Sequence, residues 1–186
     1  MTEEELIDAI CKRIAEPKKR IDMTTVDTPP LYGPASTKAL DAAEVQVGIV
    51  LPPLLRRMYR EVGNGGFGPS SGLLGVEGGH TDLDGRNVGI LYAELRAQWW
   101  PEGLLPLCDW GCGAWACIDP DGRIVTMDES GPTRTGHTLL SWLEAWVSGV
   151  DLVAETFELV DGIMTNPFTQ KPIAVKHRGR AKGVAS

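Results

Sequence analysis

Residues 104–127 read LLPLCDWGCGAWACIDPDGRIVTM, and this stretch decides the fold. Its apolar and β-branched segments predict three short strands, at 104–110, 114–119 and 123–127. Gly111-Cys112-Gly113 separates the first two strands and Pro120-Asp121-Gly122 the last two, and residues of these types favour tight reversals. Consecutive strands joined by such short turns pair side by side, so we expect an antiparallel meander.

The N-terminal segment predicts a helix followed by a linker. Thr2-x-x-Glu5 has the form of a capping box, and apolar residues then recur at helical spacing up to Pro17. Residues 17–35 combine basic residues with prolines and show no sustained period. We therefore expect a surface loop or linker there.

Two further helices are expected between this linker and the meander. Ser36 can cap the first of them and Gly48 can end it, because serine accepts a bond from the first turn and glycine tolerates positive φ. The next is expected to start at Leu51-Pro52, where proline loses no intrahelical bond. Gly63-Asn64-Gly65-Gly66 is expected to stop it and to turn the chain into an extended segment.

Two other segments complete the pattern. From Leu73 onward the apolar spacing shifts toward two, weakly between Gly75 and Gly89, which favours extended chain over helix. After the meander the helical period returns and predicts an apolar helix that ends near Gly149 and covers one face of the sheet. Its apolar residues are Leu139, Leu140, Trp142, Leu143, Trp146, Val147 and Val150.

These elements predict an α+β fold with one mainly antiparallel sheet flanked by helices in a single domain. Residues 1–35 are assigned to an N-terminal helix and linker, and residues 36–150 to the α+β domain. Residues 151–186 form a C-terminal extension with a basic tail. We expect that tail to be poorly ordered, because it loses apolar periodicity.

The charge is distributed unevenly along the chain. The net charge is −7, but five basic residues follow the last acidic one, Asp161, so residues 1–170 have a charge of −12. Such a body repels nucleic acid and attracts basic partners. An acidic N-terminus, no membrane-length apolar stretch and four cysteines without a CxxC pair indicate a reduced cytoplasmic protein with no membrane segment.

Two motifs raise the question of a metal site. Cys108, Cys112 and Cys117 lack the second ligand pair that structural zinc sites use, so buried thiols are the favoured interpretation. His80-x-Asp82-x-Asp84 offers nitrogen and oxygen ligands but lacks the span and final glutamate of a calcium loop. A polar loop without a metal is the favoured interpretation of residues 80–85. If the chain binds a metal at all, we expect the site to lie in this loop. We predict no metal and no cofactor.

The sequence gives little support for catalysis. There is no Gly-x-Ser-x-Gly elbow, and the glycines at 63–66 follow a helix, whereas phosphate loops precede one. A Cys112 and His137 pair stays open as an alternative. We predict no catalytic residues.

Trp99 and Trp100 are unusual among the six tryptophans. Adjacent residues on regular structure cannot both face inward, and their flanks are polar. Either one ring is exposed as an anchor for a partner or both are partly covered by a loop.

The ordered motifs resemble those of the SUKH superfamily of immunity and regulatory proteins. The resemblance spans about residues 36 to 150, and residues 77–100 do not match. Four motifs support the resemblance. They are Leu51-Pro52 with Tyr59; Asn64-Gly65-Gly66; the segment from Leu105-Pro106-Leu107 through Asp109, Gly111 and Gly113 to Cys117-Ile118-Asp119; and Ser141-Trp142-Leu143 with Trp146.

This resemblance implies a non-enzymatic protein-binding module, with a bacterial toxin, often a nuclease, as the partner of an immunity protein. The −12 body fits a cognate toxin or another protein with a basic surface. A regulatory or scaffold protein of the same fold and a small metal-dependent hydrolase using His80, Asp82 and Asp84 are the alternatives. The residues expected to contact the partner are Glu77, Asp82, Asp84, Trp99, Trp100 and Glu102.

Overall fold

Helices occupy much of the first hundred residues, and strands occupy most of the rest. The structure, a computed structural model, describes residues 1–23, 27–166 and 169–183. Within these ranges no helix is long and apolar enough to cross a membrane. The helices are α1 (Glu3–Ile14), α2 (Thr37–Val47), α3 (Pro53–Glu61), α4 (Val88–Arg96), α5 (Leu139–Val147) and α6 (Leu152–Thr156), with a 3₁₀ turn at Pro17–Lys19. The strands are β1 (Leu105–Gly111), β2 (Ala114–Ile118), β3 (Arg123–Asp128), β4 (Gly131–Thr138), β5 (Phe157–Thr165) and β6 (Pro172–Ala181).

The first two helices begin at the residues whose side chains can cap them. The Thr2 hydroxyl accepts a bond from the Glu5 amide (3.2 Å), and the Glu5 carboxylate accepts one from the Thr2 amide (2.8 Å). Ser36 caps α2, and Gly48 ends it at φ +68°. These predictions are confirmed. The third helix starts one residue later than expected, with Pro52 as its cap.

Strands β1 to β4 form one antiparallel sheet in chain order. The register pairs Trp115 with Met127 and Cys117 with Val125. In the turn between β1 and β2, Cys112 has a φ of +48°, which is unusual for a residue with a side chain. The predicted meander and the α+β, single-domain fold are confirmed.

The α5 helix and the sheet enclose the centre of the core. Trp142 and Trp146 are both fully buried, as their shared helix face predicted. The Trp142 ring lies 6.3 Å from that of Trp110 in β1, at nearly a right angle. The guanidinium of Arg13, in α1, lies 4.5 Å from the centre of the Trp146 ring. The first helix therefore packs against α5, and its buried residues belong to the same hydrophobic core as those of the sheet.

Two elements differ from the sequence-based expectation. The segment expected to be extended contains α4, because tertiary packing buries one side of this short helix. β4 was not predicted, since its sequence GPTRTGHT lacks an apolar alternation and its order comes from pairing with β3.

The expectation of a poorly ordered tail is wrong for the residues that the structure describes. β5 and β6 pair with each other as an antiparallel two-stranded sheet, which we call the C-terminal ribbon. At its base, Phe157 is fully buried, and the Arg178 guanidinium stacks 4.5 Å from its ring centre. Residues 167–168 and 184–186 of the tail lie outside the described residues.

Candidate protein-binding surface

Asn64, in the turn that follows α3, holds the segment where the candidate surface begins. Its side chain is buried, and Oδ1 accepts a hydrogen bond from the Val76 amide (2.8 Å). Its Nδ2 donates to the Glu77 carbonyl (3.1 Å), and the Asn64 carbonyl accepts from the His80 amide (2.9 Å). The turn that the sequence showed only as a helix stop therefore fixes the path of residues 76–80.

Arg86 organises the acidic loop that follows. Its guanidinium lies 2.7 Å from Asp82 Oδ2, 2.7 Å from Asp84 Oδ2 and 3.2 Å from Glu94 Oε2. Asp82 also accepts bonds from the backbone amides of Asp84 and Arg86. The Asp82 side chain is only 7% exposed. Asp82 thus shapes the loop, while Asp84 and Glu94 present their carboxylates to solvent.

The α4 helix is one of the elements that sequence reasoning missed. Asn87 caps it by accepting a bond from the Ile90 amide (3.0 Å). The signal was present, because an N-cap residue precedes apolar residues at helical spacing: Val88, Leu91, Tyr92 and Leu95. The opposite side of the helix is exposed and presents Ile90, Ala93, Glu94 and Ala97.

The two adjacent tryptophans have different environments. Trp100 is buried, and its indole Nε1 donates to the Leu104 carbonyl (2.6 Å). Trp99 is 62% exposed, and its ring centre lies 6.2 Å from that of Trp100. Arg96 donates to the Trp100 carbonyl and lies 3.7 Å from Glu102. Trp100 therefore supports the chain that presents its neighbour's ring.

We call the exposed side chains of this segment, between residues 77 and 102, the α4 surface. Between residues 77 and 102 there are five acidic and two basic residues, a net charge of −3. Leu83 is 89% exposed and Ile90 40% exposed, so the same segment exposes two apolar side chains besides Trp99. The α4 surface comprises Glu77, Leu83, Asp84, Ile90, Glu94, Trp99 and Glu102.

The residues expected to contact a partner divide into two groups. Four of the six are exposed on the α4 surface: Glu77, Asp84, Trp99 and Glu102. Asp82 and Trp100 instead turn inward, one to Arg86 and the other to the core. Both side chains are therefore largely covered in this structure, with the Asp82 side chain 7% exposed and Trp100 3% exposed.

The region around the α4 surface belongs to a recognised family. A sequence model of the SMI1 / KNR4 family (SUKH-1) matches residues 34–158, about two thirds of the chain. The chain belongs to the SUKH-1 family. This membership confirms the resemblance to the SUKH superfamily and is consistent with an immunity or regulatory protein-binding module. No curated protein matches the chain.

Two clefts border the α4 surface in this SUKH-1 protein. One has a volume of about 740 Å³ and is lined by Tyr92, Arg96 and Glu102, among others. The second has a volume of about 690 Å³, and its lining includes His80 and Asp109. Burial lowers the pKa of His80 and raises the pKa of the Asp109 carboxyl, so partial desolvation favours the neutral form of each.

Two of the four cysteines of this SUKH-1 protein lie in strands of the sheet. Cys108 and Cys117 are buried, and burial raises the pKa of both thiols well above the ordinary range, which disfavours the thiolate that binds metals. Cys112 is exposed in the β1–β2 turn. Over the described ranges, no group of three or more His, Cys, Asp or Glu side chains is placed to hold a metal ion.

The polar groups proposed for chemistry have structural partners. Asp82 and Asp84 of the hydrolase alternative both pair with Arg86, as described above. The His137 ring nitrogens lie 3.2 Å from Ser141 Oγ and 3.1 Å from Glu155 Oε1. His137 therefore connects the start of α5 to α6, a structural arrangement at the edge of the sheet.

Proposed function

We propose that this SUKH-1 protein is a non-enzymatic immunity protein that binds and neutralises a cognate toxin through the α4 surface. Family membership supports a role in protein binding. The four cysteines are free, which fits the reducing cytoplasm as the place of the encounter.

The exposed Trp99 ring is the observation on which the proposal depends. Trp99 is 62% exposed in water although tryptophan is the residue with the most apolar area to bury. The neighbouring Trp100 is buried in the core and donates a hydrogen bond to the Leu104 carbonyl, so it fixes the backbone from which the Trp99 side chain extends. Tryptophans of this kind, surrounded by polar residues, are typical centres of protein–protein interfaces.

The charge of the α4 surface selects the class of partner. The exposed carboxylates of Asp84, Glu94 and Glu102 lie in the same segment as these apolar side chains, and the net charge of residues 77–102 is −3. An acidic surface accelerates association with a basic partner and disfavours acidic ones. A toxin that binds nucleic acid, such as a nuclease, has the required basic surface.

Co-expression with the product of the adjacent gene tests the proposal. We expect the two proteins to co-purify as a complex and the immunity protein to restore growth of cells that express the toxin. Recovery of several unrelated cellular proteins without growth rescue would instead support a regulatory or scaffold protein. Loss of both the complex and the rescue contradicts the proposed function.

Trp99→Ala tests the surface itself. Removing a central aromatic anchor costs roughly 2–4 kcal/mol of binding, equivalent to a dissociation constant about 30-fold to 1000-fold higher. Isothermal titration calorimetry against the co-purified partner measures this change. Val45→Ala on α2, at a side chain that is 84% exposed and outside the α4 surface, is the matched control and should leave the affinity unchanged. Equal effects of the two substitutions contradict the assignment of the α4 surface.

A further inference from the structure

The cleft of about 690 Å³, which we call the Asp109 cleft, lies between the β1–β2 turn and the loop that precedes α4. Its lining includes the apolar side chains of Met23, Pro29, Leu74 and Leu83. Leu83 also belongs to the α4 surface, so a protein that covers this side chain lies at the opening of the cleft. The Asp109 cleft is therefore next to the surface proposed to bind a partner.

Among the described residues, the lining of the Asp109 cleft contains three carboxylates and no lysine or arginine. The carboxylates belong to Asp27, Asp82 and Asp109. Asp82 is paired with Arg86 (2.7 Å), so Asp27 and Asp109 account for the excess of negative charge. The ring of His80 adds no positive charge at neutral pH, because burial lowers the pKa of His80.

The Asp109 carboxylate has no cationic partner within the described ranges. Its Oδ1 accepts a hydrogen bond from the Gly111 amide (2.6 Å), and no described basic side chain forms an ion pair with it. The Arg178 guanidinium instead donates to the Trp110 and Gly111 carbonyls. Burial raises the pKa of Asp109, because the ionised form loses more hydration than the nearby charges replace. A cation bound at this carboxylate would supply the missing compensation.

The chemistry of the Asp109 cleft fits an arginine side chain. The apolar stem of an arginine can lie along Leu74 and Leu83 while its guanidinium reaches the carboxylate. A guanidinium is more weakly hydrated than the ammonium of lysine, so it loses less hydration in a partly buried site. Asp27 and Asp109 would repel an acidic side chain. An apolar side chain would leave the carboxylate desolvated and unpaired.

We propose that the Asp109 cleft receives an arginine side chain of the toxin, whose guanidinium pairs with the Asp109 carboxylate. This inference rests on the proposed function, because the arginine belongs to the toxin that binds the α4 surface. A toxin that binds nucleic acid carries basic side chains on its surface. The charge pair fixes the orientation of the toxin, whereas the Trp99 contact supplies apolar area.

Titration of the protein alone with Nα-acetyl-arginine amide, followed by NMR of the backbone amides, tests the specificity of the cleft. We expect saturable shifts at His80, Leu83 and Gly111 and a dissociation constant of roughly 1–10 mM, as for a small ligand with one charge pair. Nα-acetyl-citrulline amide has the same shape without the charge and should bind at least about tenfold more weakly. Equal binding of the two probes, or no saturable shift, would overturn the proposal.

Asp109→Asn removes the charge of the cleft, while the asparagine oxygen can still accept the bond from the Gly111 amide. We expect the dissociation constant of the arginine probe to rise at least about tenfold. Asp128→Asn is the matched control, because Asp128 Oδ1 accepts the Ser130 amide at the same spacing (2.8 Å) in the β3–β4 turn, outside this cleft. Thermal melts establish that both variants stay folded. Equal effects of the two substitutions contradict the role of Asp109.

The co-purified toxin distinguishes a protein side chain from a free small molecule as the occupant. Asp109→Asn should raise the dissociation constant of the toxin at least about tenfold, whereas Asp128→Asn should leave it unchanged. If the wild-type cleft binds the arginine probe but Asp109→Asn leaves the affinity for the toxin unchanged, the occupant is a free guanidinium compound and the inference is wrong. If no toxin co-purifies, the proposed function fails, and the titration still decides whether the cleft selects a guanidinium.

Discussion

Replacing Asn64 with alanine should lower the free energy of unfolding by about 2–4 kcal/mol. The side chain makes two hydrogen bonds to backbone groups, at 2.8 Å from the Val76 amide and 3.1 Å to the Glu77 carbonyl. A buried backbone group that loses its partner costs roughly 1–3 kcal/mol. The Val76 bond is buried and the Glu77 bond is partly buried, so the first contributes the larger share.

Urea unfolding followed by tryptophan fluorescence measures this loss. Asn87→Ala is the control, because it also removes one asparagine but deletes only the exposed capping bond from Ile90, worth about 1 kcal/mol. Hydrogen exchange should locate the effect of Asn64→Ala, with faster exchange at the amides of Val76 and His80.

The comparison between the two asparagines can refute this reasoning. If Asn64→Ala destabilises the protein no more than Asn87→Ala does, the Asn64 side chain does not hold the segment. Unchanged exchange at residues 76–80 would lead to the same conclusion. If the reasoning is correct, Asn64→Ala also weakens partner binding, since Glu77 begins the α4 surface.

Two further substitutions test the same region. His80→Gln should reduce the pH dependence of the free energy of unfolding. Burial lowers the pKa of His80 in the folded state, so the wild-type protein loses stability as the pH falls below the unfolded-state pKa of about 6.5. Urea unfolding at pH 7 and at pH 5 should therefore give free energies of unfolding that differ less in the variant than in the wild type. Gly65→Ala should destabilise by at least about 2 kcal/mol, because its Cβ would lie 2.5 Å from the Leu73 carbonyl oxygen. Gly85→Ala has the same φ of +79° but open space around it, so thermal melts should show a loss of only about 1 kcal/mol; equal losses would contradict the steric argument.

Helix ends were predictable because their chemistry is local. Thr2 with Glu5, Ser36 and Gly48 act on backbone groups within a few residues, and the structure shows each of them in the expected role. The meander was predictable for a similar reason, since short glycine-containing turns join its strands.

Elements that depend on distant partners were missed. The sequence of β4 has no period of its own and is ordered by β3, while β6 is ordered by β5. For α4 the signal existed after Asn87, but the glycine-rich segment before it obscured the helical spacing. Nonlocal pairing therefore decided β4 and β6, whereas α4 had a local signal that the neighbouring glycines obscured.

The candidate site was predictable in composition but not in orientation. The sequence indicated acidic residues and two tryptophans in this segment and left open whether one ring is exposed; in the structure Glu77, Asp84, Trp99 and Glu102 are exposed. The inward positions of Asp82 and Trp100 depend on contacts with other parts of the fold. One-dimensional spacing does not contain that information.

The cleft beside α4 constrains the shape of a molecule that could bind the helix. A hollow of about 740 Å³ is lined by Tyr92, Ala93 and Arg96 of α4 and by residues 46–50, at the end of α2. A flat protein that covered the exposed side of α4 would leave this hollow empty. A protein with one loop projecting into it would fill the space, so the presence of such a loop would distinguish a binding partner from other proteins of equal charge.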